Sequence, residues 1–147
     1  MVSLDDLAAY GIELVKADAS ELQLRNGTGR LYYVAFHLCD QAGEEHCNPL
    51  PTQEGKDKGM HERAYLRLEG HCKEPTISNS RLKIICQKAR DMRELRTRAD
   101  YHLDDKFEYD DAREAQQLLF MIRREFKEVQ RQLDSAKKKL SQPPEAK

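Results

Sequence analysis

Leu31–Cys39 reads LYYVAFHLC, a run in which His37 is the one residue that is neither aliphatic, aromatic nor a thiol. Such a stretch can be a buried strand or a buried helix. A strand needs partners, and no neighbouring segment alternates apolar and polar residues over a useful length. The alanine within the run and the length of the segment around it favour a helix packed on several sides. We therefore place a central helix from about Ser20 to Gln41, with Gly27 and Gly29 expected to mark a bend.

The flanks repeat the helical period. On the N-terminal side, Ser3 can cap a helix with Asp6 three residues on, and Leu4, Leu7, Ala8, Gly11, Leu14 and Val15 share one face. On the C-terminal side, residues 42–59 (AGEEHCNPLPTQEGKDKG) read as a long loop, mobile or covering something. A short helix follows from Met60 to about Leu68, with His61, Ala64, Tyr65 and Leu68 on one side. A second loop, 69–79, ends in Ser78-Asn79-Ser80, a set of N-cap residues. Leu82, Ile85, Ala89, Met92, Leu95 and Ala99 predict a helix that ends near Asp100. After the connector YHLDDKFEY (101–109), Asp111 and Glu114 suggest a capping box for a last helix along Ala115, Leu118, Ile122, Phe126, Val129 and Leu133. The fold class expected is all-α, an up-and-down bundle of four or five helices, with 80–100 and 111–135 as antiparallel neighbours. One domain over 1–140 is expected, followed by a disordered tail, 141–147.

At 147 residues the chain is long enough to bury one core without staples. Its charged share, 35%, is high for an average protein and suits long helices with solvated faces. No run approaches a membrane span, and the acidic N-terminus does not read as a signal peptide, so a cytoplasmic protein with no membrane partner is expected. Cys39 and Cys86 fall in apolar helical stretches. Cys47 and Cys72 fall in polar loops, and in a reducing compartment all four are expected as free thiols. The adjacent pairs His46-Cys47 and His71-Cys72 offer zinc-type ligands, but their spacing fits no usual zinc pattern, and neither metal nor cofactor is expected. The net charge of −1 argues against a general nucleic-acid binder, but its distribution is uneven. Arg81–Arg98 holds seven basic and two acidic residues, and Asp100–Glu114 holds two basic and seven acidic. These blocks are either solvated helix faces or a functional patch.

Four motifs, in order from about Ser20 to Leu133, resemble a small subfamily of the HEPN superfamily. RLYYVAFH at 30–37 is similar to its YY-A-x-F-H helix, and His61 stands where that subfamily has its next histidine. LRTRADYH at 95–102 resembles its R-x-x-A-D-Y signature, with Arg96 as the motif arginine, and DDAREAQQLL resembles the start of its last helix. The resemblance implies a four- to five-helix bundle that pairs two-fold into a homodimer. It implies one of two activities. The first is a metal-independent endoribonuclease of the toxin or antiphage kind, using an R-x(4–6)-H motif that Arg96 and His102 match. The second is a non-catalytic module that binds a nucleotide or a protein partner, such as an antitoxin or a nucleotidyltransferase. One toxin branch ends in H-x-Tyr, whereas Leu103 and Asp104 follow His102 here.

Arg96, Asp100, Tyr101 and His102 are the candidate catalytic residues, and Arg93 and Arg98 the candidate RNA-binding ones. Arginine offers a permanently charged fork for phosphoryl oxygens, and histidine titrates near neutrality and can move the protons. The plainer alternative is Arg96 paired with Asp100 one turn on and His102 exposed on the connector. Six residues turn an unbroken helix by ~600°, so Arg96 and His102 point apart unless the helix ends between them or a second chain supplies one of them. Tyr32, Tyr33, Phe36 and His37 are expected in the core, His37 as a hydrogen-bonded interior histidine.

Overall fold

The computed structural model describes residues 1–143. Among these residues six helices follow one another: α1 Leu4–Leu14, α2 Glu21–His46, α3 Thr52–Gly55, α4 Met60–Gly70, α5 Asn79–Tyr101 and α6 Tyr109–Ser141. No strand occurs among the described residues beyond one bridge pair, Cys47 with Cys72. Among the described residues no helix is long and apolar enough to cross a membrane. The all-α expectation holds. Of the expected tail, Ser141 ends α6, and residues 144–147 lie outside the described residues.

α2 is the central element and packs against α1, α4, α5 and α6. Leu31, Tyr32, Val34, Ala35, Phe36 and Cys39 are all buried, as a helix covered on several sides requires. Tyr33, expected in the core, is 45% exposed, and His37 is half-buried with its ring 4.3 Å from that of Tyr33. The long helices α5 and α6 are antiparallel: Arg98 pairs with Asp111, Arg81 with Glu125, and the Ser78 amide donates to Gln132, so one index falls as the other rises.

Several boundaries differ from expectation, each for a local reason. α2 does not break at its glycines. Gly27 lies inside an unbroken helix where α1 crosses, and a Cβ there would sit 2.9 Å from Val15 Cγ2 and 3.1 Å from the Gly11 carbonyl oxygen. Its role is close approach rather than bending. α2 also runs on to His46, because Arg67 of α4 donates to the Asn48 and Cys47 carbonyls and pairs with Glu44, satisfying the helix end. The 42–59 loop is thereby shortened, and α3 puts one more turn into it. α6 starts earlier, at Tyr109, with Glu108 and Asp111 as its capping box in place of Asp111 and Glu114. The capping boxes at Ser3/Asp6 and Ser20/Gln23 and the cap at Ser78 are present.

Candidate functional site

α5 ends at Tyr101 because its last carbonyls are taken by a side chain from α2. Arg25, 7% exposed, donates through Nη1 to the carbonyls of Arg98 (3.1 Å), Ala99 (3.0 Å) and His102 (3.2 Å) and through Nη2 to that of Asp105. Its Nε donates to Glu21 Oε1 at 3.0 Å, and the same carboxylate accepts from the Phe107 amide. A buried cation thus sits at the negative end of the α5 dipole and bonds four carbonyls at once, two of which, those of Arg98 and His102, also accept from the His102 and Asp105 amides. The connector that carries His102 is held by this clamp and by Phe107, which is buried in the core beneath Arg25 and Arg98. Sequence reading missed Arg25, since its partners lie more than 70 residues away. The one local signal was its i, i+4 spacing from Glu21.

The last turn of α5 carries the motif. Arg96 Nε stands 2.8 Å from Asp100 Oδ2 in an ion pair, with side chains 30% and 36% exposed. The guanidinium lies over the rings of Tyr101 (5.4 Å) and Tyr32 (5.9 Å). Asp100 itself packs on α2 at Gly29, where a Cβ would come within 3.6 Å of its Oδ1. His102 caps the helix and turns to Asp105, with Nδ1 3.5 Å from Oδ2 and both side chains more than half exposed. Arg96, Asp100 and Tyr101 are therefore together, whereas His102 pairs with Asp105. Within one chain Arg96 and His102 share no partner.

The basic face of α5 is largely neutralised inside the chain. Arg90 is held by Glu62 and Glu69, Arg93 by Glu62, Arg98 by Asp111 and Arg81 by Glu125. Burial pushes the Glu62 carboxyl up, yet Arg90 and Arg93 hold it below the usual range. Of the two candidate RNA-binding residues, then, Arg93 and Arg98 each already have an acidic partner. Arg96 differs. Its pair with Asp100 uses Nε, and neither Nη has a hydrogen-bond partner among the described residues.

Beside Arg96 lies a cluster that the sequence did not assemble. The Tyr32 hydroxyl is 2.7 Å from His61 Nδ1 and 2.8 Å from the Tyr65 hydroxyl. Phe36 stacks on the His61 ring at 4.0 Å. Burial, followed by the charges of Arg96 and Arg93, holds the His61 imidazole below its ordinary pKa, and burial raises the Tyr32 and Tyr65 phenols. Tyr32 was readable only as core, because its hydroxyl partners come from α4.

The cysteine and histidine pairs of the two loops meet differently. Cys47 and Cys72 face each other across the bridge, flanked by the Asn48 N–H to His71 carbonyl and Lys73 N–H to His46 carbonyl hydrogen bonds. Burial and then the neighbouring Cys72 thiol push Cys47 up to about 11. His46 lies beside Glu45 and Glu74, and His71 beside Glu54. No three metal-ligating side chains converge among the described residues.

In comparisons with known proteins, no family model, no curated protein and no solved structure matches this chain.

Proposed function

We propose that the chain is a HEPN-like, metal-independent endoribonuclease of the toxin or antiphage-defence class, acting on RNA as a cytoplasmic homodimer. The observation that carries this is Arg96. Among the described residues it is the one arginine of the α5 series 81–98 whose terminal nitrogens bond no acidic side chain, and Asp100 orients it six residues before an exposed histidine. RNA supplies its own nucleophile, the 2′-hydroxyl beside the scissile phosphate. Arg96 receives the charge that grows on the phosphoryl oxygens. His102 takes the 2′-hydroxyl proton and, as imidazolium, returns a proton to the leaving 5′-oxygen. Asp100 positions Arg96, and Tyr101 stacks on a base.

A two-fold axis past the end of α5 would bring one chain's Arg96 toward the other chain's His102. Tyr101 and Leu103, 67% and 71% exposed on either side of His102, support a contact there. The test is cleavage of labelled RNA by purified variants. His102→Ala is expected to slow cleavage by about 10²–10⁴-fold with the fold intact. Arg96→Lys is also expected to be impaired, since a point charge does not reproduce the fork. A His102→Ala variant as fast as the parent removes the assignment.

One observation favours a second reading, a non-catalytic module that binds a nucleotide or a partner protein such as a nucleotidyltransferase. Arg96 and His102 are held by different carboxylates, Asp100 and Asp105. A parent protein that binds RNA or a nucleotide and cleaves neither selects it.

A further inference from the structure

Tyr65 is fully buried, and its hydroxyl has one hydrogen-bond partner, the Tyr32 hydroxyl. The Tyr32 hydroxyl has two, Tyr65 and His61 Nδ1. Counting protons fixes the direction of this chain. If Tyr32 donated to Tyr65, the Tyr65 proton would be buried with no acceptor, at the expense of an unmade hydrogen bond. Tyr65 therefore donates to Tyr32, and Tyr32 donates to His61 Nδ1. Nδ1 is then an acceptor and carries no hydrogen. The single proton of the neutral imidazole resides on Nε2. Protonating Nδ1 would make Tyr32 its acceptor and leave one of the two phenol protons without an acceptor, so the network opposes the charged form. Burial and the nearby guanidinium groups act in the same direction.

His61 Nε2 has no hydrogen-bond partner among the described residues and is not sealed from solvent. The ring flanks Tyr32 at 5.5 Å between centroids, and the Arg96 guanidinium lies over that same Tyr32 ring at 5.9 Å. Arg96, Arg93 and His37 surround His61 on the positive side and Asp40 on the negative. The adjacent Glu62 is already taken by Arg90 and Arg93.

We infer that His61 Nε2–H and the terminal nitrogens of Arg96 form an oxyanion-binding site for a phosphate group, with the Tyr65–Tyr32 relay holding the histidine as an Nε2–H donor. A fixed donor and a fixed cation hold a phosphate without exchanging protons with it. His61 is thus a binding residue and not a base, a division of labour that leaves proton transfer to His102. The inference rests on the ribonuclease reading only for naming RNA as one source of the phosphate. Free phosphate is the other.

The experiment is heteronuclear NMR of the histidine rings in the full chain, at low ionic strength and neutral pH. One arm is titrated with inorganic phosphate and one with a short single-stranded RNA. His61 is expected as the Nε2–H tautomer, with a saturable shift on titration. A stronger response to RNA assigns the site to the backbone phosphate, and a response to inorganic phosphate alone assigns it to the free ion. Arg96→Gln is expected to weaken binding by about tenfold or more while leaving the tautomer unchanged. Tyr65→Phe keeps the Tyr32 donation and so the tautomer, whereas Tyr32→Phe releases it. The inference is overturned by an Nδ1–H tautomer in the parent, by a His61 signal that neither ligand moves, or by equal binding in Arg96→Gln. Should Tyr32→Phe not fold, the parent, Tyr65→Phe and Arg96→Gln still decide. Phosphate binding without RNA cleavage would remove the ribonuclease reading alone. Cleavage with His61 unmoved would remove this inference alone.

Discussion

Arg25 and Arg96 carry the same guanidinium, and their surroundings give them opposite jobs. Arg25 is buried among carbonyls at a helix end, so every donor is used and the charge serves the fold. Arg96 is partly exposed with Nε engaged and neither Nη hydrogen-bonded among the described residues, so its charge is available to a ligand. Removing Arg25 leaves buried carbonyls and Glu21 without their partner. Arg25→Ala is expected to lower stability by about 2–4 kcal/mol in urea unfolding and to speed amide exchange at 102–107 before the rest of the bundle. An exchange pattern unchanged in the connector would show that Arg25 does not hold it. This residue scale was the least legible in the sequence. The Arg96–Asp100 pair was visible as i, i+4 spacing. The Arg25 clamp, the Tyr65–Tyr32–His61 relay and the acidic partners of Arg90 and Arg93 all join residues far apart in the chain, and no local pattern encodes them.

At the scale of elements, the helical period was readable because each helix buries one face, and the core lists of α1, α4, α5 and α6 follow it closely. The ends were harder. Where a cap is local, as at Ser3, Ser20 and Ser78, the start was placed well. Where a distant arginine completes the end, as Arg67 does for α2, the helix outran the expectation by five residues, to His46. The glycines of α2 show the same limit: their sequence suggests a bend, and the packing of α1 gives them another reason. Gly27→Ala is expected to destabilise the protein by about 1–3 kcal/mol, because the new methyl meets Val15 and the Gly11 backbone. Gly70, with nothing within 4 Å of its would-be Cβ, provides the control, and Gly70→Ala is expected within about 0.5 kcal/mol of the parent. Equal midpoints for the two variants would contradict a close α1–α2 crossing at Gly27.

For the whole molecule, one core runs through the bundle, and the charge asymmetry read from the sequence turns inward. Four arginines of α5 are answered by Glu62, Glu69, Asp111 and Glu125, and Arg96 by Asp100 through Nε, while Lys83 and Lys88 have no ion pair among the described residues. That neutralisation is why a local excess of seven basic residues over two acidic ones does not by itself make an RNA-binding surface. What remains exposed is sparse in one chain: an arginine, a histidine that turns the other way, and Tyr101 and Leu103 between and beyond them. A second copy doubles the set, and a homodimer is therefore part of the functional proposal. The most direct measurement is to incubate the purified parent protein with end-labelled RNA in EDTA and analyse the product ends, with its sedimentation followed in parallel. The expected result is a dimer that cleaves RNA undiminished by the chelator and leaves 2′,3′-cyclic phosphate termini. An RNA that stays intact, or cleavage that EDTA abolishes, would contradict a metal-independent ribonuclease built on Arg96 and His102.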